Sequence, residues 1–456
     1  MVWITGFIFI GLIIAADFAP SEPVEDPWRH LLVGCCCLIL APSFAVVQSL
    51  MTTRRWADRD ISQPQATLLH RTLMGTNLAV WFAGCSGLLL VARWPQLFRV
   101  NWQLSKIPLV DELALGIPML GSLFISWVVI FDAETALNFH DQGTFKKRMV
   151  VVYQRTRTLG GLLLVPITLL FLCRDCVLVF FPHGMAPPAL LFLGVVFLAG
   201  LLVVYPLLIS KTWQTSALSD STLSCELQKV ASEAGLQREK IMKWNTNATV
   251  MNALIVGSFP GTRRVFLSDA LLSNFQRDEV AAIYRHELGH LIYHHQSMRL
   301  ALMLVPILGV GALLYGLFPD GVLTVSTDFA LAPAFIIAGF VGAMVYYSQV
   351  VLRFNRKSEI QADIYAITDG RGNVSTSRAD AYCRALLKMA MYAPEMYEHS
   401  TGMHPSIRCR LEAIRQVIRD RTLITVFHNQ FHRDQRVASF GLLVWIILTV
   451  LIGWAI

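Results

Sequence analysis

Two histidines four residues apart, with a glutamate directly after the first, form the stretch of this chain best equipped for chemistry: His286-Glu287-Leu288-Gly289-His290. On a helix this spacing puts both imidazoles on one face, a turn apart, with a carboxylate beside them, as zinc hydrolases require. A hydrolytic zinc needs three protein ligands and an open position for water. His286 and His290 supply two, and Glu359 is the natural third. It sits in Arg356-Lys357-Ser358-Glu359-Ile360-Gln361-Ala362-Asp363 and shares a helical face with Asp363, four residues on. Asp363 is then placed to hold a ligating histidine by its second nitrogen and fix the tautomer. A third histidine six positions after His290 would mark another class, but Gln296 stands there, and Tyr293 replaces the glycine that class needs. His294 and His295 read as residues around the site or at an interface, not as ligands.

One Zn2+ per chain is therefore expected, held by His286, His290 and Glu359, to act as a Lewis acid on water and on a carbonyl. Glu287 is expected to be the general base. It would take the proton of the attacking water and return it to the leaving amine, which is why a carboxylate adjoins the first ligand.

Several elements must position these groups. Helical periodicity runs from Ser216 to about Ala234 and closes at Gly235, a good C-terminal cap. Val250 to Val256 and Arg264 to Leu267 read as strands flanking Phe259-Pro260-Gly261-Thr262, whose Pro-Gly predicts a hairpin turn. A short helix over Asp269 to Asn274 follows. Asp278 and Glu279 then begin the helix of the histidines, with acids suited to its N-terminal dipole.

The surroundings of this polar segment are apolar. The chain has 456 residues, of which 55% are hydrophobic and 15% charged, far from a soluble average. Runs long enough for a bilayer fall near 2–16, 31–50, 72–92, 113–131, 158–181, 188–210, 300–318, 329–350 and 438–455, about nine in all. The first could instead be a secretory leader, although no Lys or Arg precedes it. Cys35, Cys36, Cys37, Cys85, Cys173 and Cys176 lie inside apolar runs as small hydrophobes. Cys225, Cys383 and Cys409 lie in polar segments, and no pairing follows from spacing.

The net charge of +7 is sorted by loop and not gathered on one soluble face, so it reports topology and no nucleic-acid partner is expected. Arg54, Arg55, Arg59 and Arg71 fill the second loop, Lys146, Lys147, Arg148, Arg155 and Arg157 the fourth, and Lys211 opens the segment after the sixth run. Those loops are assigned to the cytoplasm. The first loop, with Glu22, Glu25 and Asp26 against Arg29, and the seventh, with Asp320 and Asp328, are poor in Lys and Arg. The third, with Arg93, Arg99 and Lys106, fits less well. This gives a six-span region over 1–210, a cytoplasmic segment over 211–298 with the hairpin and the HExxH helix, and a two-span hairpin over 299–350. A second cytoplasmic segment over 351–437 brings Glu359 back to the face of the histidines, and a last span covers 438–456. Arg174-Asp175, an adjacent opposite pair inside the fifth run, is either functional or the mark of that span's outer end.

Further strings carry a family resemblance: Asn252-Ala253 with Gly257, Val265-Phe-Leu-Ser-Asp-Ala-Leu-Leu272, HELGH, Arg356-x-x-Glu359-x-Gln-Ala-Asp363, and His404-Pro405 with Arg410. Over about residues 205–415 the chain resembles the integral-membrane zinc metallopeptidases that include the type I CAAX prenyl endopeptidases and the HtpX-type quality-control proteases. The many spans ahead of that core resemble the CAAX prenyl branch more closely. The resemblance implies a mostly α, multi-span helical membrane protein with a small zincin-like α+β catalytic domain on the cytoplasmic side. It adds His404, or less favourably Arg410, as donor to the oxyanion, with Arg410 otherwise pairing with Asp363 or Glu359, and Arg356 beside Asp363 around the ligands. It adds Asn252 and Ala253 either as backbone that takes the substrate as an added strand or, for Asn252, as a residue that stabilises the hairpin.

The function expected is that of a membrane-embedded zinc endopeptidase acting on a peptide or a lipidated protein delivered by the bilayer. The alternatives are an HtpX-type protease of damaged membrane proteins and, from another class, a transporter or non-catalytic scaffold. A transporter would have no reason for a complete zinc triad, and loss of Glu287 or Glu359 would have marked a scaffold. The apolar end Ile452-Gly453-Trp454-Ala455-Ile456 shows no retrieval signal. A bacterial inner membrane is preferred over an endoplasmic reticulum membrane, and the oligomeric state is open.

Overall fold

The computed structural model describes residues 22–56, 63–107, 109–138, 165–180, 186–236, 240–246, 251–257, 259–303, 345–369, 372–392, 394–400 and 404–455, with isolated positions such as Phe9 and Ile13. They fall into two compact units, Met1–Trp213 and Gln214–Ile456.

In the first unit α1 (Pro27–Trp56), α2 (Gln63–Leu90) and α3 (Val110–Asn138) pack together, and α4 (Val165–Phe180) packs on α5 (Ala186–Thr212). Trp81, Leu88, Met119 and Leu123 are fully buried in the shared core. Polar side chains cross between helices: Trp81 Nε1 donates to Met119 O at 2.8 Å and Asn77 Nδ2 to Ala41 O at 3.0 Å. Such bonds join helices whose outer surface is no less apolar than their contact. Trp28, Leu32, Ile39, Leu90 and Ile117 are exposed, and a helix apolar on both faces belongs in lipid. Among the described residues Pro27–Trp56, Thr72–Leu90 and Val110–Glu134 are long and apolar enough to cross a bilayer. The helices α1 to α5 lie on the second to sixth of the nine expected runs, whereas most of 2–16, 300–318 and 329–350 lies outside the described residues.

Arg174-Asp175 is part of a larger ion cluster. Arg174 pairs with Glu112 and, at 2.9 Å, with Asp175, while Arg99 Nε lies 2.6 Å from Asp111 Oδ2. Asp175 Oδ2 also accepts the Leu109 N–H at 2.6 Å. The pair thus ties α4 to the first turn of α3, each buried charge facing an opposite one.

The second unit opens with a four-stranded sheet in the order β1-β2-β4-β3. β1 (Thr215–Ala217) is antiparallel to β2 (Lys240–Trp244), β2 is parallel to β4 (Arg264–Ser268), and β3 (Ala253–Val256) is antiparallel to β4. The β3–β4 pair is the expected hairpin; β1 and β2 were not anticipated. The helix expected from Ser216 starts later, as α6 (Ser221–Glu233), because Asp220 caps it by accepting the Leu223 N–H at 3.0 Å. It ends at Gly235 (φ 73), with Leu236 N donating to Ala231 O at 2.9 Å and Gly235 N to Ser232 O at 3.0 Å. A left-handed residue at this point is what glycine permits.

α7 (Asp269–Asn274) leads into α8 (Arg277–Ile292), whose first free N–H groups meet acids: Gln276 N donates to Glu279 Oε2 at 2.8 Å. α8 is buried on opposite sides. Tyr284 and Leu288 pack with Ile255, Val265 and Leu267 of the sheet, while Ala282 packs with Ile364, Tyr382 and Leu411. Those residues come from α9 (Leu352–Ile367), α10 (Thr376–Tyr392) and α11 (Ile407–Arg419); α12 (Thr422–Ala455) follows as one helix of 34 residues.

At the crossing of α8 and α9 there is little room for a side chain. A Cβ on Gly289 would stand 3.0 Å from Ala362 Cα and 3.2 Å from Tyr365 Cβ. Gly289→Val must therefore push apart the two helices that carry the metal-ligand candidates. It should cost about 1–3 kcal/mol, read as a lower Tm, and reduce zinc retention; an unchanged Tm and zinc content would show that the close approach is dispensable.

Candidate metal centre

α8 presents His286 and His290 on one face, and α9 presents Glu359 opposite them, all three buried. His286 Nε2 and His290 Nε2 are 3.2 Å apart, His286 Nε2 is 3.5 Å from Glu359 Oε2, and His290 Nε2 is 3.3 Å from Glu359 Oε1. A tetrahedral zinc with bonds of about 2.0–2.1 Å separates its ligand atoms by about 3.3–3.4 Å. The two imidazole nitrogens, and the carboxylate oxygen that each one faces, are therefore close to the spacing of zinc ligands. Their chemistry fits as well, since two imidazole nitrogens face each other and a carboxylate.

Each imidazole is fixed from behind. His286 Nδ1 lies 2.9 Å from Asp363 Oδ1 and 2.8 Å from the Tyr382 hydroxyl, which donates to Asp363 Oδ1 at 2.6 Å. Asp363 is gripped by the Arg410 fork, Nε to Oδ2 at 2.9 Å and Nη2 to Oδ1 at 2.6 Å, and Arg410 Nη2 also donates to Tyr382. With Nδ1–H turned to Asp363, the Nε2 lone pair of His286 is directed at the site. Burial opposes charge on His286, but hydrogen bonds to Asp363 and Glu359 outweigh it and raise its pKa to about 9. Burial would raise the Asp363 carboxyl, yet Arg410 and His286 hold it below its ordinary range. Glu359 is likewise held well below against its burial, by His286, His290 and His404.

His290 is held by neutral groups. Its Nδ1 is 2.9 Å from His295 Nδ1, His295 Nε2 is 2.8 Å from Gln361 Oε1, and Gln361 Nε2 is 3.1 Å from His428 Nδ1 on α12. One direction satisfies every link: His290 donates to His295, His295 to Gln361, and Gln361 to His428. Burial and the neighbouring His290 lower the His295 pKa to about 3, so this ring stays neutral. α8 stops at Ile292, and His294, at φ 54, turns the chain so that His295 swings back toward His290. His294 itself is exposed.

Glu287 is partly exposed, and its Oε2 lies 3.4 Å from Ile255 N on β3. His404 Nδ1 is 2.8 Å from Glu359 Oε2, and its side chain is 45% exposed, unlike the buried ligand rings. Three expected roles change. Arg410, named among the catalytic groups, is buried against Asp363 and positions His286 through it. Arg356 is exposed and forms no ion pair among the described residues. Asn252 has its main chain committed to β4, with Ser268 N donating to Asn252 O at 3.0 Å and Asn252 N donating to Ser268 Oγ at 3.0 Å. The alternation of an antiparallel pair then turns the backbone groups of Ala253 and Ile255 away from β4. Ile255 O accepts from Gln296 Nε2. Tyr382, Gln361 and Ile255 were missed from sequence; only Gln361, inside the string of Glu359 and Asp363, carried any signal. A second acidic group, Asp111, Glu112 and Asp175, is compensated by Arg99 and Arg174 and reads as an ion cluster.

Residues 217–418 match the family described as Peptidase family M48. A CAAX prenyl protease 1 homolog of Dictyostelium discoideum is 26% identical over 183 residues, 37% of this chain and 42% of that protein. A protease HtpX homolog of Aeropyrum pernix is 30% identical over 147 residues, 31% of this chain and 44% of that protein. The chain thus spans less than half the length of these curated relatives. The crystal structure of Ste24p from S. mikatae superposes with a TM-score of 0.48 at 17% identity, over 86% of this chain and 100% of that one. The metallopeptidase resemblance carried by HELGH and the Glu359 string has its counterpart here: residues 217–418 are similar to Peptidase family M48.

Proposed function

We propose that the protein is a membrane-embedded zinc endopeptidase of the CAAX prenyl protease kind, with its site on the cytoplasmic side. The observation that carries the chemistry is the approach of the His286, His290 and Glu359 donors to within 3.2 to 3.5 Å of one another, with Glu287 next to His286 on α8. When bound there, zinc supplies a Lewis acid for water and for the scissile carbonyl. Glu287 takes the proton of the attacking water and delivers it to the leaving amine. Ala253 and Ile255 offer their outward backbone groups to an extended peptide, which sets the scissile bond beside the base. His404, anchored on Glu359, donates to the oxyanion. Asp363, with Arg410 and Tyr382, keeps the His286 ring in one tautomer, and His295 with Gln361 does so for His290.

The choice of a prenylated substrate is supported by the five helices α1 to α5 that precede the matched segment, and by the similarity to a CAAX prenyl protease homolog. The similarity to an HtpX homolog favours a second reading, proteolysis of damaged membrane proteins by the same chemistry. Incubating the purified protein with a farnesylated C-a-a-X peptide beside an unfolded membrane protein separates the two.

Glu287→Gln should keep zinc and lower kcat by several orders of magnitude, because the base is not a ligand; an active variant would sink the mechanism. Glu359→Ala should lose metal, and full zinc occupancy would remove it from the ligand set.

Zinc binding should depend on pH through His286. Its pKa rises from 6.5 to about 9 in the metal-free fold, so at neutral pH the ring carries a proton that zinc displaces. Affinity, measured against a competing chelator, should climb about tenfold per pH unit from 7 to 9 and then flatten. The stability this proton gives the metal-free fold is complete below pH 6.5 and is lost as pH rises through about 9. An affinity flat over that range would mean that His286 is already neutral.

A further inference from the structure

One cation close to the metal centre forms no ion pair among the described residues. Arg299 follows His295 by one helical turn, and its Nε donates to Asn355 Oδ1 at 2.8 Å. Asn355 is 1% exposed and stands one turn before Glu359 on α9. Since His295 touches His290, Arg299 and Asn355 lie one turn, about 5–6 Å, beyond the ligand layer on both helices. Arg299 is half-buried, and the carboxylates of Glu359 and Glu287 act on it electrostatically. Among the described residues no Asp or Glu comes within ion-pair distance of it, and Asn355 holds only Nε. The Nη edge remains, the edge that grips a carboxylate with two parallel hydrogen bonds. A guanidinium removed from water without an anion is costly, so this one is suited to an anion that arrives with the substrate.

We propose that Arg299, oriented by Asn355, binds the terminal carboxylate of the substrate's C-terminal peptide. This rests on the endopeptidase reading above and narrows its substrate class. One helical turn plus the reach of the side chain spans about two or three residues of extended peptide. A chain cut three residues from its end, as a C-a-a-X sequence is when cut after its cysteine, brings its carboxylate to that distance. The site would then measure from the C-terminus and disfavour internal bonds of long chains.

The test compares a fluorescent farnesylated C-a-a-X peptide ending in Met, as free acid and as C-terminal amide, on the full-length zinc-loaded protein in detergent. The wild type should favour the acid by roughly 10- to 100-fold in kcat/KM, mainly through KM. Arg299→Gln should collapse the acid-to-amide ratio to about one, and Arg299→Lys, which keeps the charge but loses the fork, should leave an intermediate ratio. Binding of both peptides to the Glu287→Gln protein, followed by fluorescence anisotropy, should show the same preference without turnover. Equal binding and cleavage of acid and amide by the wild type overturns the proposal whatever the folding of the variants, as does an Arg299→Gln protein that still discriminates. If neither peptide is cleaved but the acid still binds better through Arg299, the peptidase reading fails for this substrate and the carboxylate site stands.

Discussion

The site depends on one constraint: two helices far apart in sequence must cross closely enough for their side chains to share a single metal. The distances of 3.2 to 3.5 Å among His286, His290 and Glu359 leave little tolerance. The crossing is set where Gly289 meets Ala362, so closely that a Cβ would require its neighbours to give by a few tenths of an ångström. Gly289 lies next to His290, and Ala362 lies between Glu359 and Asp363, so the small residues and the polar ones are fixed by the same contact. The sheet and α6 press on one side of α8, and α9, α10 and α11 on the other. A helix of mixed polarity is buried this way because its buried Glu279, His286 and His290 each have a polar partner.

Those partners differ between the two imidazoles. His286 is backed by an anion, Asp363, whose charge Arg410 compensates. His290 is backed by a neutral chain through His295 and Gln361 to His428. With carboxylates on both sides, His286 attracts a proton when no metal is there, and with a metal its electron density rises. His290 gains no charge from behind, only a fixed tautomer. The site thus adds a single second-layer anion, which limits the negative charge gathered beside Glu287 and Glu359. It also ties α12, through His428, to a ligand that α12 does not itself carry.

The candidate metal site was legible in the sequence to the extent that it lay on helices with regular spacing. His286, Glu287 and His290 follow from i and i+4 geometry, and Glu359 with Asp363 follows from the same rule on a second helix. The hairpin of β3 and β4 announced itself through Pro260-Gly261. What stayed hidden came from irregular or distant geometry. β2 is five residues without clear alternation and pairs in parallel with a strand twenty residues on. His295 would project away from His290 on a continuous helix, and only the left-handed His294 brings it back. Tyr382 is one tyrosine on an amphipathic helix, with nothing in its neighbours to mark it. Arg410 was visible as a charged residue in a familiar string, but whether it faces the substrate or Asp363 is decided by the packing of α11.

On the function proposed above, β3 links the helix of Glu287 to the edge offered to a substrate. The outward N–H of Ile255 lies 3.4 Å from Glu287, and its carbonyl accepts from Gln296, so both edge groups are engaged by residues on or just beyond α8. An extended peptide that pairs with this edge has to take the carbonyl from Gln296 and the N–H from Glu287. In the proposed mechanism the second exchange would free the Glu287 carboxylate to act as base. On that proposal, substrate register and release of the base would follow from the same hydrogen bonds, and Glu287 and Gln296 meanwhile cover the exposed groups of an edge strand.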